Sequence, residues 1–145
     1  MRNETLAELD PLIGVWDLTL SGAWFLDTLE TEQHGRATIE WLDDAFVLMR
    51  SSLEGEPTWD LIFGRSDAVE QMYALYHDNR GVSRLFTMAF DGRRWTLSRE
   101  DPDFHQRFVA EVEPDQMRGY WEASEDQGNS WRKDFDLVFE RVQES

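Results

Sequence analysis

The chain has no cysteine. That excludes a disulfide framework and thiolate chemistry, and it makes a cytoplasmic setting the expectation. It has a single lysine, Lys133, and only fourteen basic residues against thirty acidic ones, a net charge of −16. A protein that grips nucleic acid needs a basic footprint, so nucleic acid is excluded as a partner, and anionic membrane surfaces repel the chain as well. No run approaches the roughly 18 consecutive apolar residues of a membrane span. The opening MRNETLAELDPLIG lacks the apolar core of a secretory leader. There is no low-complexity stretch, internal repeat or linker. One domain over residues 1–145 is the expectation.

Metal and nucleophile signatures are missing too. His34, His77 and His105 share no ligand spacing. Ser83 and His77 fall opposite each other with Asp78 adjacent, but no GxSxG elbow or oxyanion hole accompanies them. No cofactor or metal is expected.

What remains is apolar and aromatic. Hydrophobic residues make up 41% of the chain and aromatics 13%, including seven tryptophans. They fall in short alternating runs separated by turn residues, the pattern of an all-β chain. Ten strands are expected, at 14–21, 34–41, 45–53, 58–65, 70–77, 83–90, 94–100, 104–113, 116–124 and 130–141. A short helix precedes them. Thr5 and Glu8 fit a capping box, Leu6, Leu9 and Leu12 share a stripe, and Pro11 and Gly14 end it. Short connections make neighbours pair antiparallel, and a closed up-and-down barrel leaves no edges. The fold class is therefore an all-β, ten-stranded antiparallel up-and-down barrel with a short N-terminal helix.

Hairpin registers then say which side chains face inward. In YHDNRGVSR, a three-residue loop Asn79-Arg80-Gly81 sets Tyr76 opposite Arg84, Ala74 opposite Phe86 and Met72 opposite Met88. A tight turn at Asp43-Asp44 pairs Trp41 with Phe46 and Ala37 with Arg50. The Asp101-Pro102 turn pairs Arg99 with Phe104 and Leu97 with Gln106. The last hairpin brings Trp121 near Lys133. On these registers the interior is apolar apart from Arg50, Tyr76, Arg84, Arg99, Gln106 and Lys133, with no carboxylate. The polar set gathers near the loops after strands one, three, five, seven and nine. The helix leucines plug the other end. The long first connection, residues 22–33, carries Trp24, Phe25, Leu26 and Leu29 and reads as a lid.

Gly14-x-Trp16 at the first strand, a lid-like connection and a run of antiparallel strands resemble the calycin superfamily of lipocalins and fatty-acid-binding proteins. Tyr76-x-Asp78-x-Arg80-Gly81-Val82-x-Arg84, Asp103-Phe104-x-Gln106-Arg107-Phe108, Trp121-Glu122-x-Ser124 and Trp131-x-x-Asp134-Phe135-Asp136-Leu137 resemble a group of small, mostly uncharacterised bacterial lipocalin-like proteins. The resemblance covers nearly the whole chain and implies the barrel. Nitrobindin-like haem proteins share a ten-stranded version, with a proximal histidine near the C-terminal strands. No histidine follows His105 here, a departure that argues against haem.

Buried cations need a counter-ion, so a small hydrophobic or amphiphilic anion is the expected ligand. Its acid group would meet Arg84, Arg99 and Tyr76, with Arg50, Lys133 and Gln106 in support. Its apolar part would lie against Trp95, Phe108 and Phe135, with Trp24 and Trp121 beside them. Two other readings stay open. One is an isomerase, cyclase or hydrolase of the same shape, with Tyr76 as acid or base. The other is a filled barrel that serves as an interaction or oligomerisation module, for which a homodimer is one form. Arginines pairing with loop carboxylates at a barrel rim are the plainest account of the cations.

Overall fold

A computed structural model describes residues 4–24, 28 and 30–142. Ten strands form a closed antiparallel barrel: β1 Gly14–Ser21, β2 Gln33–Leu42, β3 Phe46–Leu53, β4 Glu56–Arg65, β5 Met72–Asp78, β6 Ser83–Phe90, β7 Arg94–Asp101, β8 Phe104–Val112, β9 Gln116–Ser124 and β10 Arg132–Arg141. Each strand pairs with its neighbours in sequence, and β1 closes on β10. No helix of the described residues is long and apolar enough to cross a membrane.

The N-terminal helix, Leu6–Leu12, is a 3₁₀ helix. Leucines spaced by three suit its three residues per turn, so Leu6, Leu9 and Leu12 fall on one side and are fully buried. The capping-box expectation fails, because Thr5 makes no side-chain cap and Pro11 lies inside the helix. The leucines join the core beside Trp16, Ile39 and Val47, closing the end of the barrel where β1 begins. The Trp41 indole N–H donates to Asp10 Oδ1 (3.3 Å) and ties the helix to β2. Leu9→Ala is expected to cost about 2–5 kcal/mol, read as a lower urea midpoint at unchanged slope.

A second fastening closes the seam. Arg141, opposite Trp16, lays its guanidinium over the Trp16 ring, 4.1 Å from the centroid. Its Nε donates to the Pro114 carbonyl (2.7 Å), Nη1 to Ile13 (2.8 Å) and Nη2 to Pro11 (3.0 Å). Gly14 (φ 148°) makes this possible, since a Cβ there would collide with Arg141 Nη1.

The β5–β6 hairpin has the expected register. Tyr76 faces Arg84, Ala74 faces Phe86, Met72 faces Met88, and Gly81 (φ 82°) takes the left-handed position. Three other registers differ. The β2–β3 loop holds three residues, Asp43, Asp44 and Ala45, the first two left-handed, so Trp41 faces Val47 and Ala37 faces Ser51. One extra residue turns β3 over. Val47, Met49, Ser51 and Leu53 point inward, while Phe46 is exposed and Arg50 lies outside opposite Thr38 and Asp60. In β10 a bulge at Asp134 does the same, so Lys133 pairs with Glu122 on the outer face and Arg132 takes the inward position opposite Ala123. The β7–β8 turn is offset by two, with Arg99 opposite Gln106 and Leu97 opposite Phe108. An even offset leaves every face as expected. Trp131 packs against Arg107 and His105 on the outer surface.

Candidate functional site

The interior divides into two halves. The half nearer the helix is packed with rings in edge or tilted contact: Trp95 with Phe108 (5.0 Å between centroids), Phe63 (5.8 Å) and Phe139 (6.3 Å), and Phe86 with Trp121 (5.5 Å). Trp95 and Phe108, expected as ligand contacts, belong to this packed half and are 1% and 2% exposed. The other half is an open cavity of about 890 Å³. It lies at the end where the loops after β1, β3, β5, β7 and β9 gather. Trp121 and Phe135 form its floor, and Trp59, Tyr76, Phe104 and Trp24 its sides.

Of the polar residues expected inside, the structure brings Tyr76, Arg84 and Gln106 together at this cavity. Arg50 and Lys133 face outward, for the register reasons given above. The expectation of an interior without carboxylates is overturned: Asp78, Asp103, Glu125 and Asp134 line the cavity, together with Arg80 and Arg132.

Most of these charges are matched. Asp78, only 4% exposed at its side chain, accepts from the Tyr76 hydroxyl (2.7 Å) and Arg80 Nη2 (2.6 Å). Backbone N–H groups of Arg80 and Val82 complete its shell. The strand expected over 70–77 stops one residue short of Asp78. Asp78 ends β5 instead, two residues from Tyr76 and so on the same inner face. Burial pushes the Asp78 carboxyl up, but hydrogen bonds from Arg80, Tyr76 and the two N–H groups outweigh it and hold it at about 2. Tyr76 is pushed up to about 12, first by burial and then by its bond to Asp78. At neutral pH it is a fixed donor, not a base.

A carboxyl whose folded pKa is lowered stabilises the fold above its ordinary value near 3.8 and loses that contribution as pH falls towards 2. Asp78→Asn is expected to cost about 1–2 kcal/mol at pH 6. The gap between the two proteins should close between pH 4 and pH 2 in urea titrations.

Arg99 is held rather than available. Its side chain is 10% exposed, lies 3.0 Å from both Asp101 and Asp103, and donates to the Phe104 carbonyl. Its Cζ sits 4.4 Å from the Phe104 ring centroid. At the rim, Trp24 Nε1 donates to Asp134 (3.1 Å), and Arg132 lies over the Trp24 ring and 3.9 Å from Asp134. Phe25, Leu26 and Leu29, the rest of the expected lid, lie outside the described residues. Arg132, Asp134 and Arg80 were missed as site residues, and only the β10 bulge could have announced the first two.

Arg84 differs from the others. β6 and β7 pair only from Thr87–Ser98 to Phe90–Trp95 and part towards the mouth, and Arg84 lies along that parted stretch. It reaches β8, where Nη1 donates to Gln106 Oε1 (3.3 Å). Its Cζ is 4.9 Å from the Phe104 centroid and 5.8 Å from that of Tyr76. Among the described residues no carboxylate lies within ion-pairing distance. A guanidinium has five N–H donors in a planar fork, and this single bond leaves a pair free for bidentate capture of an acid. No histidine joins it: His77 and His105 face outward, and His34 sits exposed beside Glu32.

The fold and cavity thus define a closed ten-stranded barrel whose interior is half packed and half open. No family model and no curated protein matches the chain. Among solved structures it is similar to the crystal structure of Rv2717c from M. tuberculosis, with a TM-score of 0.68 over 99% of this chain and 100% of that one. At 11% identity, this likeness is one of fold alone.

Proposed function

We propose that the open half of the barrel binds a small amphiphilic anion, with its acid group on Arg84 and its apolar body between the aromatic walls. The observation that carries this reading is Arg84 itself, a cavity-facing cation with free donors and no carboxylate partner among the described residues. A partly buried cation in that state is stabilised by an anion. The volume lies within the range of about 300–1,000 Å³ usual for small-molecule sites. The calycin resemblance points the same way.

The reading makes this a carrier or sensor rather than an acid–base enzyme, because Tyr76 is committed to Asp78. Titration with 1-anilinonaphthalene-8-sulfonate tests it. Saturable 1:1 fluorescence enhancement, displaced by decanoate and absent in a cavity-filling Ala123→Trp variant, is expected. Enhancement that survives Ala123→Trp would contradict it.

A further inference from the structure

The shape and chemistry of the cavity narrow the ligand further, on the assumption that the reading above holds. We propose that the acid is a compact aromatic one, with two or three rings bearing a single carboxylate or sulfonate, and not a long-chain fatty acid.

Depth is the first reason. On β8 the inward residues Phe104 and Gln106 line the cavity, and the next, Phe108, is packed core. On β9 the last lining residue is Trp121, which stands on Phe108 (5.1 Å) and Phe86 (5.5 Å). On β6 it is Arg84, with Phe86 1% exposed beneath it. A strand therefore gives about two inward residues to the cavity, or roughly 13 Å of strand at about 3.3 Å per residue, and less than that along a tilted barrel axis. The floor of rings blocks anything deeper. With about 890 Å³ in that depth, the space is wide and short. An extended long acyl tail reaches the floor before its length is used.

Wall chemistry is the second reason. The apolar lining is mostly rings: Trp24, Trp59, Tyr76, Phe104, Trp121 and Phe135. Ring faces and edges favour offset or edge-on contact with another ring, beyond what area alone gives. Position is the third. Arg84 is flanked by Phe104 and Tyr76, so an acid captured by its free N–H edge arrives with its body already against those rings.

Calorimetry with two acids of equal carbon number, 2-naphthoate and undecanoate, tests the proposal. The expected result is 2-naphthoate tighter by about tenfold, with no gain along the series from undecanoate to palmitate. Phe104→Leu should remove most of that preference by weakening 2-naphthoate several-fold more than undecanoate. Trp24→Leu, at an exposed rim position that tolerates change, should lower 2-naphthoate binding several-fold. Undecanoate binding as tightly as 2-naphthoate, or affinity rising steadily to palmitate, would overturn the aromatic class while leaving anion capture intact, provided both acids are lost in Arg84→Ala. If neither acid binds the parent protein, the proposed function falls together with this inference.

Discussion

Arg84→Ala is expected to weaken 1-anilinonaphthalene-8-sulfonate binding by about 30- to 100-fold, the equivalent of roughly 2–3 kcal/mol for a partly buried, charge-assisted contact. The size follows from the state of that guanidinium. One donor goes to Gln106, the stem lies between Phe104 and Tyr76, and no described carboxylate competes for the rest. Arg84→Lys should recover only part of the loss, since a point charge cannot reproduce the planar fork. Arg50→Ala, on the outer face, should leave affinity unchanged. Arg99→Ala should lower stability more than affinity, because Asp101 and Asp103 already claim it. Salt gives a second reading of the same site. The protein as a whole repels an anion through its charge of −16, so screening should speed association even as it weakens the local contact.

The second large effect concerns the seam. Arg141→Ala is expected to destabilise the barrel by about 3–5 kcal/mol, a sizeable part of the roughly 5–15 kcal/mol that holds a domain together. Three main-chain carbonyls, of Pro11, Ile13 and Pro114, lose a charged donor at once, and Trp16 loses its cover. Those carbonyls belong to the helix end, the helix–β1 junction and the β8–β9 loop, so one side chain gathers the two ends of the chain. Arg141→Lys should rescue only one contact. Gly14→Ala should produce a comparable loss by a different route, pushing the guanidinium aside and straining a positive φ. Urea midpoints of the three variants check this, and an Arg141→Ala loss below about 1 kcal/mol would remove the fastening role.

Strand count, meander order and the end at which the cavity opens were all legible from alternation and turn chemistry. The Tyr76–Arg84 pairing was legible because Asn79-Arg80-Gly81 has one natural reading, with glycine in the left-handed position. The errors share one physical cause. A register offset of one exchanges the two faces of a strand, and an offset of two does not. Asp43-Asp44 suits a two-residue turn, but the loop includes Ala45, and that single residue moved Arg50 outside. Both faces of β3 carry apolar residues, Phe46 and Leu48 on one, Val47, Met49 and Leu53 on the other, so hydrophobicity alone could not choose between them. The bulge at Asp134 exchanged Lys133 for Arg132 in the same way. The offset at Asp101-Pro102 did no harm, and Gln106 kept its inward position.

The pairing of charges was out of reach for a different reason. Asp78 looks like a turn residue, and only the extension of β5 through it turns its carboxylate in towards Tyr76 and Arg80. The four inward cations expected, Arg50, Arg84, Arg99 and Lys133, do not come together, since Arg50 and Lys133 face outward. The mouth is a mixed-charge rim in which Arg80, Arg99 and Arg132 each face an acid, and the proposed selectivity for an anion rests on Arg84.

A crystal structure of the protein with 2-naphthoate tests that claim most directly. The ring is expected in the open half, above Trp121 and Phe135, with both carboxylate oxygens within hydrogen-bond reach, about 3 Å, of Arg84 nitrogens. A ring bound elsewhere, or a carboxylate turned away from Arg84 towards solvent, would contradict it.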